Sequence, residues 1–237
     1  MRTKLIKVFI LLVITVTIFL IYSNRKINGI WIGTYISYDN SKYNSINESL
    51  INFNTFNFKY INPYLKKDSI IKRNYITLGN LIFSKPINEF ETIQTKIVNF
   101  KNDSLILKSV LETKAYRKIP DSLKSNSNQT LELKNKFFKI ENQRNIDTIY
   151  FSEKYLFFKG KKKKREKWES TGYWKLIYFE NYYVIFSNFS PIVVNKSNEY
   201  LNFNQLTKDR NNVLKVIEIE GKINDIEIIK KNIEMNQ

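Results

Sequence analysis

The side chains in this chain best spaced for covalent chemistry are two pairs of carboxylates. Glu218 and Glu220 stand two residues apart, as do Glu89 and Glu91. On a strand, that spacing puts both carboxyls on one face, near the roughly 5–5.5 Å separation that retaining glycoside hydrolysis uses. Lys or Asn lies close to each pair and nothing else marks either one, so a solvated strand face accounts for both. The chain has no Cys and no His. Disulfides, Cys-rich zinc sites, thiol nucleophiles and the Ser-His-Asp and Cys-His machineries are therefore excluded. No acidic run matches a calcium loop, and six glycines in all leave no Gly-rich phosphate cradle. The residues assign no catalytic, cofactor or metal role, and the expectation is a protein that is not an enzyme.

A second feature is electrostatic. Lys161, Lys162, Lys163, Lys164 and Arg165 follow Gly160 and precede Trp168. Such a run is a candidate contact for anionic lipid or an acidic envelope protein, each basic residue contributing about 1 kcal/mol near charged lipid. Trp168 beside it also suits stacking on single-stranded nucleic acid. The wider composition argues against that partner. The net charge of +17 comes from 39 basic against 22 acidic residues, but only seven of the basic residues are Arg. Nucleic-acid readers favour Arg for bidentate contacts. Ile, Asn and Lys make up about 40% of the chain, a bias that A/T-rich codons produce by themselves. The run reads first as a lysine-rich solvated turn and second as an anionic-surface contact, and no nucleic acid is expected.

The elements that must carry these residues begin with Leu5 to Tyr22, an apolar run interrupted only by Lys7. Its 18 residues reach about 27 Å as a helix, close to the thickness of a hydrocarbon core. The exit sequence Ile21-Tyr22-Ser23-Asn24-Arg25-Lys26 lacks a small-x-small cleavage site. An uncleaved single-pass anchor is expected, with a cleaved signal segment as the alternative. Arg2, Lys4 and Lys7 precede the run and Arg25 and Lys26 follow it, which favours a cytoplasmic N-terminus and an extracytoplasmic body.

After Lys26 no long 3.6-residue apolar period is visible, only short alternating runs separated by Asn, Asp, Ser, Gly and Lys. Leu50 to Tyr60 reads as one strand whose phase change near Asn54-Thr55 suggests a bulge. Ile97 to Lys108 reads as a hairpin turning at Lys101 to Ser104. Thr148–Phe158, Gly172–Phe179 and Tyr182–Phe189 read as strands, and Val213–Ile219 with Ile223–Ile229 as a closing hairpin. The polar stretch 121–130 reads as a linker between a first lobe at 27–120 and a second at 131–237, after an anchor at 1–26. Aromatic residues at period-2 positions, Phe53, Phe58, Phe138, Phe151 and Trp174 among them, read as β core, or as pocket walls if a barrel interior is unfilled. Two echoes hint at duplication. Gly29-Ile30-Trp31 resembles Gly172-Tyr173-Trp174, and Phe100 to Leu107 resembles Lys222 to Ile229.

Gly29-Ile-Trp31-Ile-Gly33-Thr-Tyr35 is similar to the G-x-W-x-G-x-Y opening strand of lipocalin-like domains of bacterial envelope proteins. Thr171-Gly172-Tyr173-Trp174-Lys175-Leu176 resembles the T-G-x-W-K-L strand of the same group. The resemblance, carried by these two short motifs, implies an all-β antiparallel barrel or half-barrel held in or near the cell envelope. The functional expectation is a membrane-anchored extracytoplasmic binding or interaction module. The alternative is a lipocalin-like carrier of a small apolar ligand, and a carboxylate-pair hydrolase ranks last.

Overall fold

Alternation along single strands decides the architecture. In a computed structural model describing residues 2–39, 44–63, 70–86, 93–125, 130–141, 146–160, 168–187, 191–197, 200–207 and 211–234, the chain after residue 28 forms two closed eight-stranded antiparallel barrels. Two compact units divide at Ile119 and Pro120. Ahead of the first barrel stands helix α1, Arg2–Arg25. Its apolar surface from Lys4 onward is not buried against any described residue. Thr15 and Thr17 return their hydroxyls to the carbonyls of Leu11 and Val13 at 2.9 and 2.8 Å, so neither is left unsatisfied on an apolar helix.

The first barrel is built from β1 (Gly29–Tyr38), β3 (Leu50–Phe53), β4 (Asn57–Ile61), β5 (Ile71–Leu78), β6 (Leu81–Pro86), β7 (Ile93–Lys101), β8 (Ser104–Lys108) and β9 (Glu112–Lys118). Neighbours pair in sequence and β9 returns to β1, Trp31 opposite Lys118 and Gly33 opposite Tyr116. The two-residue β2, Asn44–Ser45, adds to the rim of β1. Closure removes the unpaired edges that an open sheet would expose. Gly33 is required here, because a Cβ at this position would lie 2.2 Å from the Asn47 carbonyl oxygen. The expected bulge near Asn54-Thr55 is instead a reverse turn. Phe53 pairs with Phe58 across it, so the phase change marks a fold-back of the chain. The hairpin expected at Ile97 to Lys108 is present, with Lys101 opposite Ser104 and Asn102 at φ 51° in the turn.

The second barrel comprises β10 (Lys136–Ile140), β11 (Ile146–Phe151), β12 (Tyr155–Gly160), β13 (Trp168–Phe179), β14 (Tyr182–Ser187), β15 (Ile192–Lys196), β16 (Leu201–Leu206) and β17 (Asn211–Ile219), with β17 closing on β10. The stretch expected as one strand at Thr148–Phe158 is a hairpin of β11 and β12. Its interior is packed by Phe138, Phe151, Leu156, Val194, Phe203 and Val216, with Trp174 against them. Phe151 meets Trp174 edge-on at 4.8 Å. Such aromatic pairs add about 0.5–1.5 kcal/mol beyond their burial.

Ile223–Ile229 is not a strand. It belongs to helix α2, Ile223–Glu234. The alternation read from Ile223, Asp225 and Glu227 competes with a second pattern, Ile226, Ile229 and Ile233, which lies on one helical face. That face covers Phe137, Phe157 and Trp168 on the outside of the second barrel. Asp225 in the first turn accepts from the Trp168 indole at 2.9 Å and from Lys159 at 3.2 Å, which ties the helix down. The two echoes behind the suggested duplication do not occupy equivalent places. Gly29–Trp31 opens the first strand of one barrel, whereas Gly172–Trp174 sits within the fourth strand of the other. The second echo matches a hairpin to a helix.

Candidate functional site

The cavity of the first barrel

Inward positions of β5 run Ile71, Arg73, Tyr75 and Thr77, and this row reads the barrel from one end to the other. At the Thr77 end the interior is closed by the last turn of α1. Asn24 is fully buried. Its side-chain oxygen accepts the Thr77 backbone N–H and the Thr77 hydroxyl, both at 2.7 Å, and its amide donates to the Thr55 carbonyl at 2.6 Å. Ile27 and Trp31 follow into the core, and the Trp31 indole donates to the Ile27 carbonyl at 2.8 Å. The helix end is thus a plug, and α1 extends past the expected Tyr22 because Ser23 and Asn24 have polar partners inside the barrel.

Toward the other end the interior is not filled. A cavity of about 230 Å³ opens to solvent, walled by Ile51, Phe53, Phe58, Ile82, Leu107 and Tyr116. At about 30 Å³ per water this is room for seven or eight waters. Phe53, Phe58 and Tyr75 pack as a cluster with centroid distances of 5.4 to 6.0 Å, and the Tyr75 hydroxyl donates to the Asn54 carbonyl at 2.6 Å. This wall is therefore preorganised.

Among the described lining residues the charged ones are Arg73, Glu112 and Lys114, at the mouth. Lys114 pairs with Glu112 and stands 5.9 Å from the Tyr60 ring centroid. Burial by itself would lower the Lys114 ammonium. The nearby Tyr116, Glu112 and Tyr60 outweigh that cost, and the net shift is upward. Lys114 is therefore cationic at neutral pH. Arg73 is half-buried, and its side chain has no ion pair or hydrogen bond among the described residues. Below it, burial foremost pushes the Tyr116 phenol up to about 12, against the lowering effect of Lys114. Among the described residues the mouth carries two cations and one anion over an apolar chamber, an arrangement able to take an apolar molecule with an anionic end.

The residues singled out in the sequence fall elsewhere. Lys161, Lys162, Lys163, Lys164 and Arg165 lie outside the described residues, between the end of β12 and the start of β13, and so do Glu89 and Glu91, between β6 and β7. Glu218 lies at one end of the second barrel, bonded to Lys136 at 2.9 Å, in a recess it shares with Lys196 and Tyr200. Glu220 falls past the end of β17 and lines a different recess with Lys139, Lys222 and Asp225. The expected shared strand face is not formed, because β17 ends at Ile219 and the chain turns into α2. Among the described residues no group of three or more His, Cys, Asp or Glu is placed to hold a metal.

Arg73 and Lys114 carried no signal among 39 basic residues. Inward parity in Ile71-Lys72-Arg73-Asn74-Tyr75-Ile76-Thr77 is the one feature that points to Arg73. Comparison with protein-family models, with curated proteins and with solved structures finds no match.

Proposed function

We propose that this chain is a membrane-anchored extracytoplasmic binding protein whose first barrel takes a small apolar ligand bearing an anionic end. The observation that carries the reading is the contrast in lining between the cavities of the two barrels. The second barrel's recess, about 330 Å³, is bordered largely by polar and charged side chains such as Glu132, Lys136, Lys196 and Glu218, whereas the first barrel's chamber is walled mainly by apolar ones, with Arg73 and Lys114 at its lip. Unfilled apolar volume costs dispersion contacts and desolvation, so a retained chamber suits an occupant.

Retention of α1 as an anchor is supported by its plug. A cut after the apolar run would remove or expose Ser23 and Asn24, leaving the Thr77 amide inside the barrel without its acceptor. The positive-inside balance directs the body to the extracytoplasmic side. The lipocalin-like resemblance of the Gly-x-Trp strands accords with a barrel that holds a ligand, and a carrier of this kind is the favoured form of the binding-module reading.

Native mass spectrometry of the full chain, produced through an export pathway and released from detergent, tests the proposal. A reproducible added mass of a small amphiphile, absent from an Arg73→Glu variant, is the expected result. A clean apo mass together with no uptake of medium-chain carboxylates would count against it and favour a protein partner instead.

A further inference from the structure

The apolar surface of α1 and the polar plug at its end meet without a linker. Tyr22 is exposed, and the next two residues, Ser23 and Asn24, are buried in the barrel. At about 1.5 Å per residue, the barrel begins about 3 Å beyond the last apolar side chain of the helix. Whatever surrounds the end of the helix therefore also touches the end of the barrel.

The surface around that exit carries exposed apolar side chains. Thr77, which holds Asn24, is flanked by Ile76 and Leu78, and Thr55, which accepts the Asn24 amide, is followed by Phe56. Phe100 packs on Trp31 at a centroid distance of 6.0 Å. Phe56, Ile76, Leu78 and Phe100 are each about two-fifths exposed. Scattered exposed apolar residues need no explanation, but these four border a single point, the place where an apolar helix enters the fold. Arg25, Lys26 and Lys101 are exposed beside them.

We propose that this end of the first barrel is a membrane-seated surface. Phe56, Ile76, Leu78 and Phe100 enter the boundary between headgroups and acyl chains around α1, and Arg25, Lys26 and Lys101 meet anionic lipid phosphates. The inference rests on the reading of α1 as a retained span. Its consequence is orientation. Arg73 lies four residues along β5 from Thr77, about 13 Å, so the cavity mouth faces away from the lipid that holds the protein.

The chain has no Cys, so single reporter cysteines can be placed without background. The full chain carrying Phe56→Cys, Leu78→Cys or, at the far β8–β9 turn, Val110→Cys is labelled with an environment-sensitive fluorophore. Each is reconstituted into vesicles of equal parts phosphatidylcholine and phosphatidylglycerol. Labels at 56 and 78 are expected to be quenched several-fold more strongly by lipid-borne nitroxide than the label at 110, and to resist aqueous iodide. Equal iodide quenching at 78 and 110, in protein that still floats with the vesicles, would overturn the seat and leave the anchor standing. Protein that does not float with the vesicles would overturn both.

Discussion

The side-chain oxygen of Asn24 accepts both the backbone N–H and the hydroxyl of Thr77, each at 2.7 Å, and so joins the last turn of an exposed apolar helix to the inside of a β-barrel. The two residues are 53 positions apart in the chain. Helix and barrel therefore form one cooperative unit at this point. The helix end satisfies polar groups of the barrel that are remote from it in the chain.

Replacing Asn24 by Leu leaves the Thr77 amide and the Thr55 carbonyl buried without partners. Each such group costs about 1–3 kcal/mol, so a loss of about 3 kcal/mol is expected. Thr77→Val keeps the amide bond and removes only the hydroxyl, and its cost is expected near 1 kcal/mol. Urea unfolding of the detergent-solubilised full chain measures both. Equal effects of the two variants would contradict the plug.

Arg73 and Lys114 at the mouth predict selectivity for a charged end group. Octanoate is expected to bind more tightly than octanol, and Arg73→Gln to reduce octanoate affinity by about 10- to 100-fold, in keeping with about 1.5–3 kcal/mol for a charged hydrogen bond. Octanol binding should hardly change in the same variant. Calorimetric titration that finds both ligands equally affected would place the loss in cavity shape and not in charge.

Alkali should destabilise the first barrel. Burial foremost raises the Tyr75 phenol, and it raises that of Tyr116 to about 12. An unfolded tyrosine titrates near pH 10. Raised folded values mean that the stabilisation is fully present below about pH 10 and is lost as pH climbs through the folded values. Lys114, also raised, acts in the same direction. Circular dichroism with tyrosinate absorbance should show the loss beginning above about pH 10, and Tyr116→Phe should flatten it. A flat profile to pH 12 in the parent chain would be inconsistent with buried, neutral phenols.

Helix α2 is expected to stabilise the second barrel through Ile229, which is buried against Phe137, Phe157 and Trp168. Ile229→Ala should cost about 2–5 kcal/mol, the usual range for such a truncation. Ile228→Ala, on the exposed side of the same helix, should cost under about 0.5 kcal/mol. Differential scanning calorimetry separates the two. Similar losses would mean that the helix does not cover the barrel.

Much of the β architecture was legible because strand alternation is a local property. Ile97 to Lys108 shows both arms and the Asn102-Asp103 turn in a dozen letters, since cross-strand partners of a hairpin are sequence neighbours. The Leu50–Tyr60 stretch misled because a three-residue turn and a bulge both shift the parity of apolar positions. Ile223–Ile229 misled because clustered isoleucines satisfy a period of 2 and a period of 3.6 together. What decided between them was the waiting surface of Phe137, Phe157 and Trp168, which only the folded barrel assembles.

By itself the amino-acid sequence determined an apolar helix at 5–22, a mostly β body and the lack of thiol and imidazole chemistry, because length, alternation and residue type are each readable without partners. Tertiary structure alone decided that the strands close into two barrels, that the cavity of the first is walled mainly by apolar side chains, and that Asn24 enters that barrel as a plug. Inward parity says which side chains face an interior. Whether they meet across it depends on contacts between residues such as Asn24 and Thr77, which are remote in the chain and are brought together only when the sheet closes.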